Sequence, residues 1–189
     1  MSEAELDDHH IVERCLRGEP DAFGLLVDRY QRPVYHAIFH MVRNRDDAED
    51  VAQQAFLKAF EKLRDFDPER RFFSWLYRIA INEAINHLKA RRTWEPLLEE
   101  RDYTGSTPDP GEELDAEARA HELQAAVLAL KPDHRAVVVL FHFLHLSYQE
   151  ASEALDLPEK TVKSRLFTAR QILRDALENQ SHVLPHPLA

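Results

Sequence analysis

The apolar residues of this chain recur at helical spacing over most of its length, which predicts a fold built from α-helices. Four glycines among 189 residues leave little material for the tight turns of a β-sheet protein. We therefore expect an all-α fold of two small helical domains joined by a flexible acidic linker, with a helix-turn-helix in the second domain. The expected boundaries are 1–92 for the first domain, 93–113 for the linker, 114–180 for the second domain and 181–189 for a tail.

Three short helices are expected before residue 43. Their patterns cover about Asp7–Leu16, Asp21–Tyr30 and Pro33–Val42. A break is expected ahead of Pro33, because a proline inside a helix removes a backbone donor. Because Cys15 is the single cysteine of the chain, a disulfide framework is excluded. Its place on the apolar side of the first helix favours a packed thiol over a redox sensor.

The next predicted helix, in DDAEDVAQQAFLKAFEKL, separates an apolar stripe from a polar side. The acids near its start suit the positive end of the helix dipole as well as they suit a partner contact, and the pattern leaves both explanations open. The stripe consists of Ala48, Val51, Ala52, Ala55, Ala59 and Leu63. The polar side consists of Asp47, Glu49, Asp50, Gln53, Gln54 and Lys58.

A helix predicted from about Ser74 to Leu88 carries a second surface suited to single-stranded DNA. Aromatic, amide and cationic side chains fall within an arc of about 80° on the side away from its apolar stripe. Such side chains stack on bases, bond to base edges and hold phosphates. The alternative is that the aromatics are core and the asparagines merely solvated, and periodicity does not decide between the two. The candidate residues are Arg70, Arg71, Phe72, Trp75, Arg78, Asn82, Asn86 and Lys89, with Phe73 beside them.

The segment HLSYQEASEALDLPEKTVKSRLFTARQILRDAL has the pattern of a helix-turn-helix. Ser147 and Glu150 form an S-x-x-E capping box, which predicts a short helix over about Tyr148–Leu155. A tight turn at Asp156 follows, and Pro158 suits the first turn of a second helix. The buried side of that helix is predicted to consist of Val162, Leu166, Ala169, Leu173 and Leu177.

Polar and basic side chains lie opposite and beside that second stripe, as a helix that reads the major groove requires. The alternative is a solvated cationic face on an ordinary surface helix. The DNA-binding interpretation is preferred because the capping box, the turn and the basic helix occur in the order of the motif. The candidate residues are Lys160, Thr161, Lys163, Ser164, Arg165, Thr168 and Arg170.

The formal net charge of −10 does not by itself favour nucleic-acid binding, but the charge is unevenly distributed. Residues 93–119 contain nine acids and two bases, whereas residues 64–92 contain seven bases and four acids. Two basic patches thus flank an acidic bridge. No apolar run reaches the roughly 18 residues of a membrane span, and the polar start lacks the core of a signal peptide, so a cytoplasmic protein is expected.

These motifs together resemble the bacterial extracytoplasmic-function sigma factors, the smallest class of RNA polymerase sigma subunits. The resemblance covers roughly Asp21–Arg92 and Leu123–Leu177 and includes DAEDVAQQAFLKAFEKL, FFSWLYRIAINEAINHLKARR and SYQEASEALDLPEKTVKSRLFTARQIL. It implies a protein that is not an enzyme, has no catalytic residues and needs no metal or cofactor. Its implied partners are core RNA polymerase, through the clamp helices and the flap, promoter DNA and an anti-sigma factor, without membrane insertion.

The resemblance also implies a role for each surface. The first domain would dock on the polymerase clamp through Asp47, Glu49, Asp50, Gln53 and Gln54, and would recognise and melt the minus-ten element. The second domain would present its basic helix to the minus-thirty-five element. The acidic linker would thread the polymerase channel near the active site, where a negative chain mimics nucleic acid, although a passive tether is the simpler alternative.

Two other classes remain open. A conventional helix-turn-helix regulator would bind duplex DNA without polymerase. Eleven histidines and the His142-x-x-His145 spacing raise the possibility of a helical metalloenzyme. Packing is the commoner role for these two histidines, because they lie in the apolar segment VVVLFHFLHL, with no cysteine nearby and no H-E-x-x-H motif.

Overall fold

The computed structural model describes residues 7–94 and 122–181. Helices account for most of these residues, which confirms the all-α prediction. The linker prediction falls almost entirely on residues 95–121 and the tail prediction on 182–189, and both segments lie outside the described residues. Within the described ranges, no helix combines the length and the apolar composition that a membrane crossing requires.

Four helices form the first half of the molecule. The two long middle helices, α2 and α3, pack on each other and on α4, so that α4 lies against both. Small residues of α3 permit this close approach, since Ala48, Ala55 and Ala59 are fully buried and the predicted stripe is confirmed. The helices are α1 (Asp8–Leu16), α2 (Phe23–Val42), α3 (Arg45–Glu61) and α4 (Phe72–Trp94).

The predicted break before Pro33 is wrong, because α2 runs without interruption through this proline. A proline inside a helix costs about 3 kcal/mol through the lost hydrogen bond and the steric clash. The three apolar residues Val34, Ala37 and Ile38 that follow it are fully buried. Their burial offsets the local cost and keeps the helix continuous.

The second half contains the predicted helix-turn-helix. Its second long helix buries Val162, Leu166 and Ala169, as predicted. Its first helix is capped by Ser147, whose side chain accepts from the Glu150 backbone N–H while the Glu150 side chain accepts from Ser147, so the capping box is confirmed. The elements are α5, whose described residues span 122–129, α6 (Pro132–Val138) with a π-helical turn (Val139–Phe143), α7 (Tyr148–Leu155) and α8 (Glu159–Ser181).

The two halves pack against each other in one continuous core. Helix α7 lies on α4, and α6 with its π-helical turn lies on α2. The guanidinium of Arg135 is buried at this junction and donates to the carbonyl oxygens of Met41 and Leu128, and to that of Leu130 at 3.3 Å. The ring of His40 stacks on Phe143 with centroids 3.8 Å apart. This contact between the halves places α7 directly beside the surface that α4 was predicted to offer to DNA.

Candidate nucleic-acid interface

A groove of about 740 Å³ runs along α4 and contains the polar residues predicted for single-stranded DNA. Asn82, Asn86 and Lys89 are exposed in it, and Arg78 is 31% exposed. They follow one another at helical spacing, as predicted. The opposite wall comes from the second half of the molecule, through Asp133, Leu155 and Asp156.

Phe72 and Trp75 are almost completely buried, although Trp75 also lines the groove, and their prediction as base-stacking residues is corrected. Phe72 is 1% exposed and Trp75 is 5% exposed. Both rings pack with Phe66, which lies 5.6 Å from Phe72 and 5.4 Å from Trp75 between centroids. The first turns of α4 are buried on several sides, so the residues outside its main apolar stripe are core as well. Phe73 is half-buried.

Arg70 and Arg71 precede α4 and point along the surface of the second half. Their side chains are 51% and 57% exposed. Arg71 donates to Glu150 at 2.7 Å, and Arg70 lies 3.6 Å from Asp67 on its own loop. The predicted cations are thus on the surface, but each already faces a carboxylate.

The outward face of α8 carries donors and acceptors suited to base edges. Lys160, Ser164 and Thr168 are exposed on it, and Thr161 at its edge is half-buried. The opposite side is fixed in the core, so these residues have a constant orientation relative to the fold. A rigid helix with this face exposed is the element that a major groove accepts.

Two predicted cations of α8 are held by neighbouring acids. Lys163 pairs with Glu159 one turn earlier, and its Nζ lies 5.0 Å from the centre of the Tyr148 ring. Arg165 lies 3.7 Å from Asp133 of α6. Both remain beside the groove-facing surface, where they are positioned for phosphates flanking the bases.

Arg170 packs on the π-helical turn instead of on the outermost face. Its guanidinium lies 5.3 Å from the centre of the Phe141 ring and 3.2 Å from His142 Nε2. Burial, followed by the charge of Arg170, lowers the pKa of His142 below its ordinary value. His142 thus lies beside Arg170 on the surface, and no group of three metal-binding side chains occurs in the part of the chain that the structure describes.

Phe167 is a surface residue of α8 that the sequence interpretation missed. It is 64% exposed and lies one turn after Lys163 and Ser164. Counting about 100° per residue from Val162 would have found it, because it falls opposite the buried stripe. An exposed aromatic among donors and cations can make apolar contact with a thymine methyl group.

The outward face of α3 is polar, with the large apolar residues Leu57 and Phe60 exposed in it. Glu49, Asp50, Gln53 and Gln54 are exposed, and Leu57 beside them is 64% exposed. Leu57 was also missed, and its spacing three and four residues after the glutamines was the available signal. An apolar side chain inside a polar ring is a common arrangement at protein interfaces.

Asp47 differs from the other acids of that face. Its carboxylate lies 3.3 Å from His87 Nε2 and 3.4 Å from Arg91, both on α4. Its side chain is 30% exposed. Asp47 therefore fastens α3 to α4, in addition to the partner contact predicted for it.

A helix-turn-helix whose second helix is exposed, together with a groove that contains amides and cations, is typical of a DNA-binding protein. Two family models match the same two regions: "Sigma-70 region 2" over residues 26–93 and "Sigma-70, region 4" over residues 120–173. Together they span both surfaces.

Curated relatives extend this similarity over the whole chain. The RNA polymerase sigma-H factor of Pseudomonas aeruginosa is 37% identical over 184 residues, which cover 90% of this chain and 94% of the relative. The ECF RNA polymerase sigma-E factor of Escherichia coli is 33% identical, covering 94% and 97%. The ECF sigma factor SigW of Bacillus subtilis is 30% identical, covering 89% and 95%.

Solved structures show the same fold. CnrH, determined in complex with the cytosolic domain of CnrY, matches with a TM-score of 0.68 and 27% identity, covering 91% of this chain and 97% of CnrH. The sigma factor RpoE of Bartonella quintana, determined with the anti-sigma factor NepR, matches with a TM-score of 0.64 and 21% identity, covering 84% and 98%. The chain belongs to the extracytoplasmic-function sigma factors of the sigma-70 family. It directs core RNA polymerase to promoters and promotes DNA melting for initiation.

Proposed function

We propose that the α4 groove holds the displaced strand of the minus-ten element. Its amides, Asn82 and Asn86, would read unstacked bases, while Arg78 and Lys89 would hold phosphates. Arg70 and Arg71 would extend the phosphate path beyond the start of α4. One observation carries this proposal: amides and cations exposed on one side of α4 share a single groove. In this proposal, residues 1–92 form the domain that binds the minus-ten strand, residues 93–113 form the linker, and residues 114–180 form the domain that recognises the upstream element.

The outward face of α8 would read the minus-thirty-five element as duplex DNA. Lys160, Ser164 and Thr168 would face base edges, with Phe167 against a thymine methyl group. The remaining candidates, Thr161, Lys163, Arg165 and Arg170, flank this face and would position it through phosphates.

The exposed part of α3 would bind the polymerase clamp. Glu49, Asp50, Gln53 and Gln54 would form the polar contacts around Leu57. All chemistry would belong to the polymerase, so the protein itself would not be an enzyme, and its place of action would be the cytoplasm, where the polymerase works. A further partner of the anti-sigma type would bind this chain, as the anti-sigma factor NepR binds the sigma factor RpoE in their solved complex.

Run-off transcription with core polymerase on a genomic fragment library tests these assignments. Promoter-specific transcripts are expected only when this protein is added. The Asn82→Ala variant should lose opening on duplex templates and recover only in part on templates whose minus-ten region is already unpaired, because its contact with the unpaired bases is still missing. The Ser164→Ala variant should lose promoter selection on both templates, because it acts upstream of the melted region.

Arg32→Ala is the control, since Arg32 is exposed on α2 away from both surfaces. It should match the wild type. If Asn82→Ala opens duplex templates as well as the wild type does, the α4 groove is not the melting surface. Absence of transcripts, together with tight duplex binding by the protein alone, would instead identify a conventional helix-turn-helix regulator.

A further inference from the structure

Carboxylates of the second domain form ion pairs with the arginines that precede the α4 groove or lie at its start. Glu150 lies 2.7 Å from Arg71. Asp156, in the turn of the helix-turn-helix, lies 3.5 Å from Arg78 and 3.8 Å from Arg70. Each predicted phosphate-binding arginine at this end of the groove therefore faces an acid from the other domain.

A third acid, Glu153 of α7, lies between Glu150 and Asp156 along the chain. Glu153 accepts a hydrogen bond from the hydroxyl of Ser74 at 3.1 Å, and Ser74 is 2% exposed. Glu150 and Glu153 are one helical turn apart, so both point at the start of α4. Hydrogen bonds from the backbone and hydroxyl of Ser147, followed by the charge of Arg71, lower the pKa of Glu150. Glu150 is thus held as a carboxylate facing the arginine.

We propose that Glu150, Glu153 and Asp156 act as an internal competitor of single-stranded DNA, so that the second domain restrains melting by the first. This proposal rests on the assignment of the α4 groove to the displaced strand. The three acids present oxygen atoms to the arginines as successive phosphates of a strand would. A strand entering the groove would meet carboxylates on the facing wall and would have to displace α7.

The restraint covers the single-strand surface selectively. The outward faces of α3 and α8 remain exposed while α7 lies on α4. Individual ion pairs with exposed partners contribute little, because water and salt screen them. Three such ion pairs together hold α7 on α4, and a polyanion of high charge density can compete with the carboxylates and separate the two helices.

Amide substitutions at the three acids test the restraint with little disturbance of the fold. Glu150→Gln keeps a residue that completes a capping box. Asp156→Asn keeps a residue tolerated in the left-handed conformation of the turn, where φ is 53°. Glu153→Gln keeps the length of the side chain and removes its charge. The full-length triple variant carries all three changes.

Binding is measured by fluorescence anisotropy with a labelled random-sequence single strand, without polymerase. The triple variant should bind roughly tenfold more tightly than the wild type, as expected for the loss of a few exposed ion pairs. Small-angle X-ray scattering of both proteins should show a larger radius of gyration for the variant. The matched control removes the same number of charges elsewhere in the second domain, through Glu122→Gln, Asp175→Asn and Glu178→Gln.

Equal tightening by the control would attribute the effect to net charge and overturn the proposal. Unchanged strand binding by the triple variant, whether or not that protein expands, would also overturn the proposal. Binding of the strand by the wild type would in that case leave the assignment of the α4 groove to DNA intact. If neither the wild type nor the triple variant binds the strand, the assignment of the groove to DNA fails, and the restraint fails with it.

Discussion

Arg135 of α6 donates a hydrogen bond to the backbone carbonyl of Met41 at the end of α2. Residue 41 precedes the last residue of α2, where helix carbonyls have no partner within the helix. The guanidinium also reaches Leu130 of its own domain. One buried side chain thus satisfies acceptors from both domains and fixes their relative position.

Replacement of Arg135 by methionine should lower the free energy of unfolding by about 3 kcal/mol, because buried carbonyls lose a charged donor. Urea denaturation of the full chain measures this change. Arg174→Met is the matched control, since Arg174 is exposed on α8, and its effect should stay within about 0.5 kcal/mol. Equal denaturation midpoints for the two variants would contradict the role given to Arg135.

Phe167→Ala should weaken promoter recognition without weakening the fold. The ring is mostly exposed in the free protein, so its loss should change stability by less than about 0.5 kcal/mol. Its burial against a thymine methyl group should contribute about 1.4 kcal/mol, which is a tenfold change in affinity. Competition between holoenzymes for selected promoters measures this loss.

Ile172→Ala is the control for that prediction. Ile172 is 43% exposed on the same helix and lies one turn beyond Thr168, the last residue assigned to base edges. It should retain wild-type promoter affinity. A similar loss in both variants would show that Phe167 acts through the helix and not through DNA.

Leu57→Arg should weaken binding to core polymerase by at least tenfold, because it places a charge at the apolar centre of the proposed clamp contact. Competition against a labelled sigma factor for core polymerase measures the change. The control is Leu16→Arg, at a leucine of α1 that is 49% exposed. Wild-type affinity of the Leu57 variant would remove α3 from the polymerase interface.

The junction between the domains should lose stability in mild acid. Burial, followed by the charges of Arg43 and His36, lowers the pKa of His40 below its ordinary value of 6.5. The unfolded chain therefore binds a proton before the folded chain does. The contribution of neutral His40 to the free energy of unfolding should be fully present above pH 6.5. It should decrease as the pH falls below 6.5, until His40 of the folded state is protonated as well.

Urea denaturation at about pH 7.5 and about pH 5.5 measures this effect. His40→Phe should retain ring stacking on Phe143 and show a smaller difference between the two conditions. Across the junction, His40 is accompanied by Leu123 and Gln124 of α5, neither of which titrates. An unchanged pH dependence in the variant would assign the effect to other groups, of which His142 is the first to examine.

Local signals predicted much of the second domain. Ser147 and Glu150 lie three positions apart, so the capping box could be read directly from the sequence and gave the bounds of α7. The stripe through Val162 and Leu166 fixed the orientation of α8 for the same reason. Such predictions hold when neighbouring residues alone determine the structure.

Tertiary packing explains the errors. Pro33 was read as a break because its cost is local, whereas the burial that offsets it comes from residues on other helices. Periodicity alone leaves Trp75 open between a surface and a core position, because it assumes one buried side, whereas the start of α4 has several. The pairing of Arg71 with Glu150 spans 79 positions, and nothing in the local pattern of either residue indicates it.

Asp156 ends α7 in the left-handed conformation and also faces two arginines of the other domain. Position 156 therefore carries two separate requirements, one of backbone geometry and one of charge. Asparagine satisfies the first requirement and not the second, and a single-nucleotide change converts an aspartate codon to an asparagine codon. One point mutation can thus remove the charge between the two domains while the turn of the helix-turn-helix is kept.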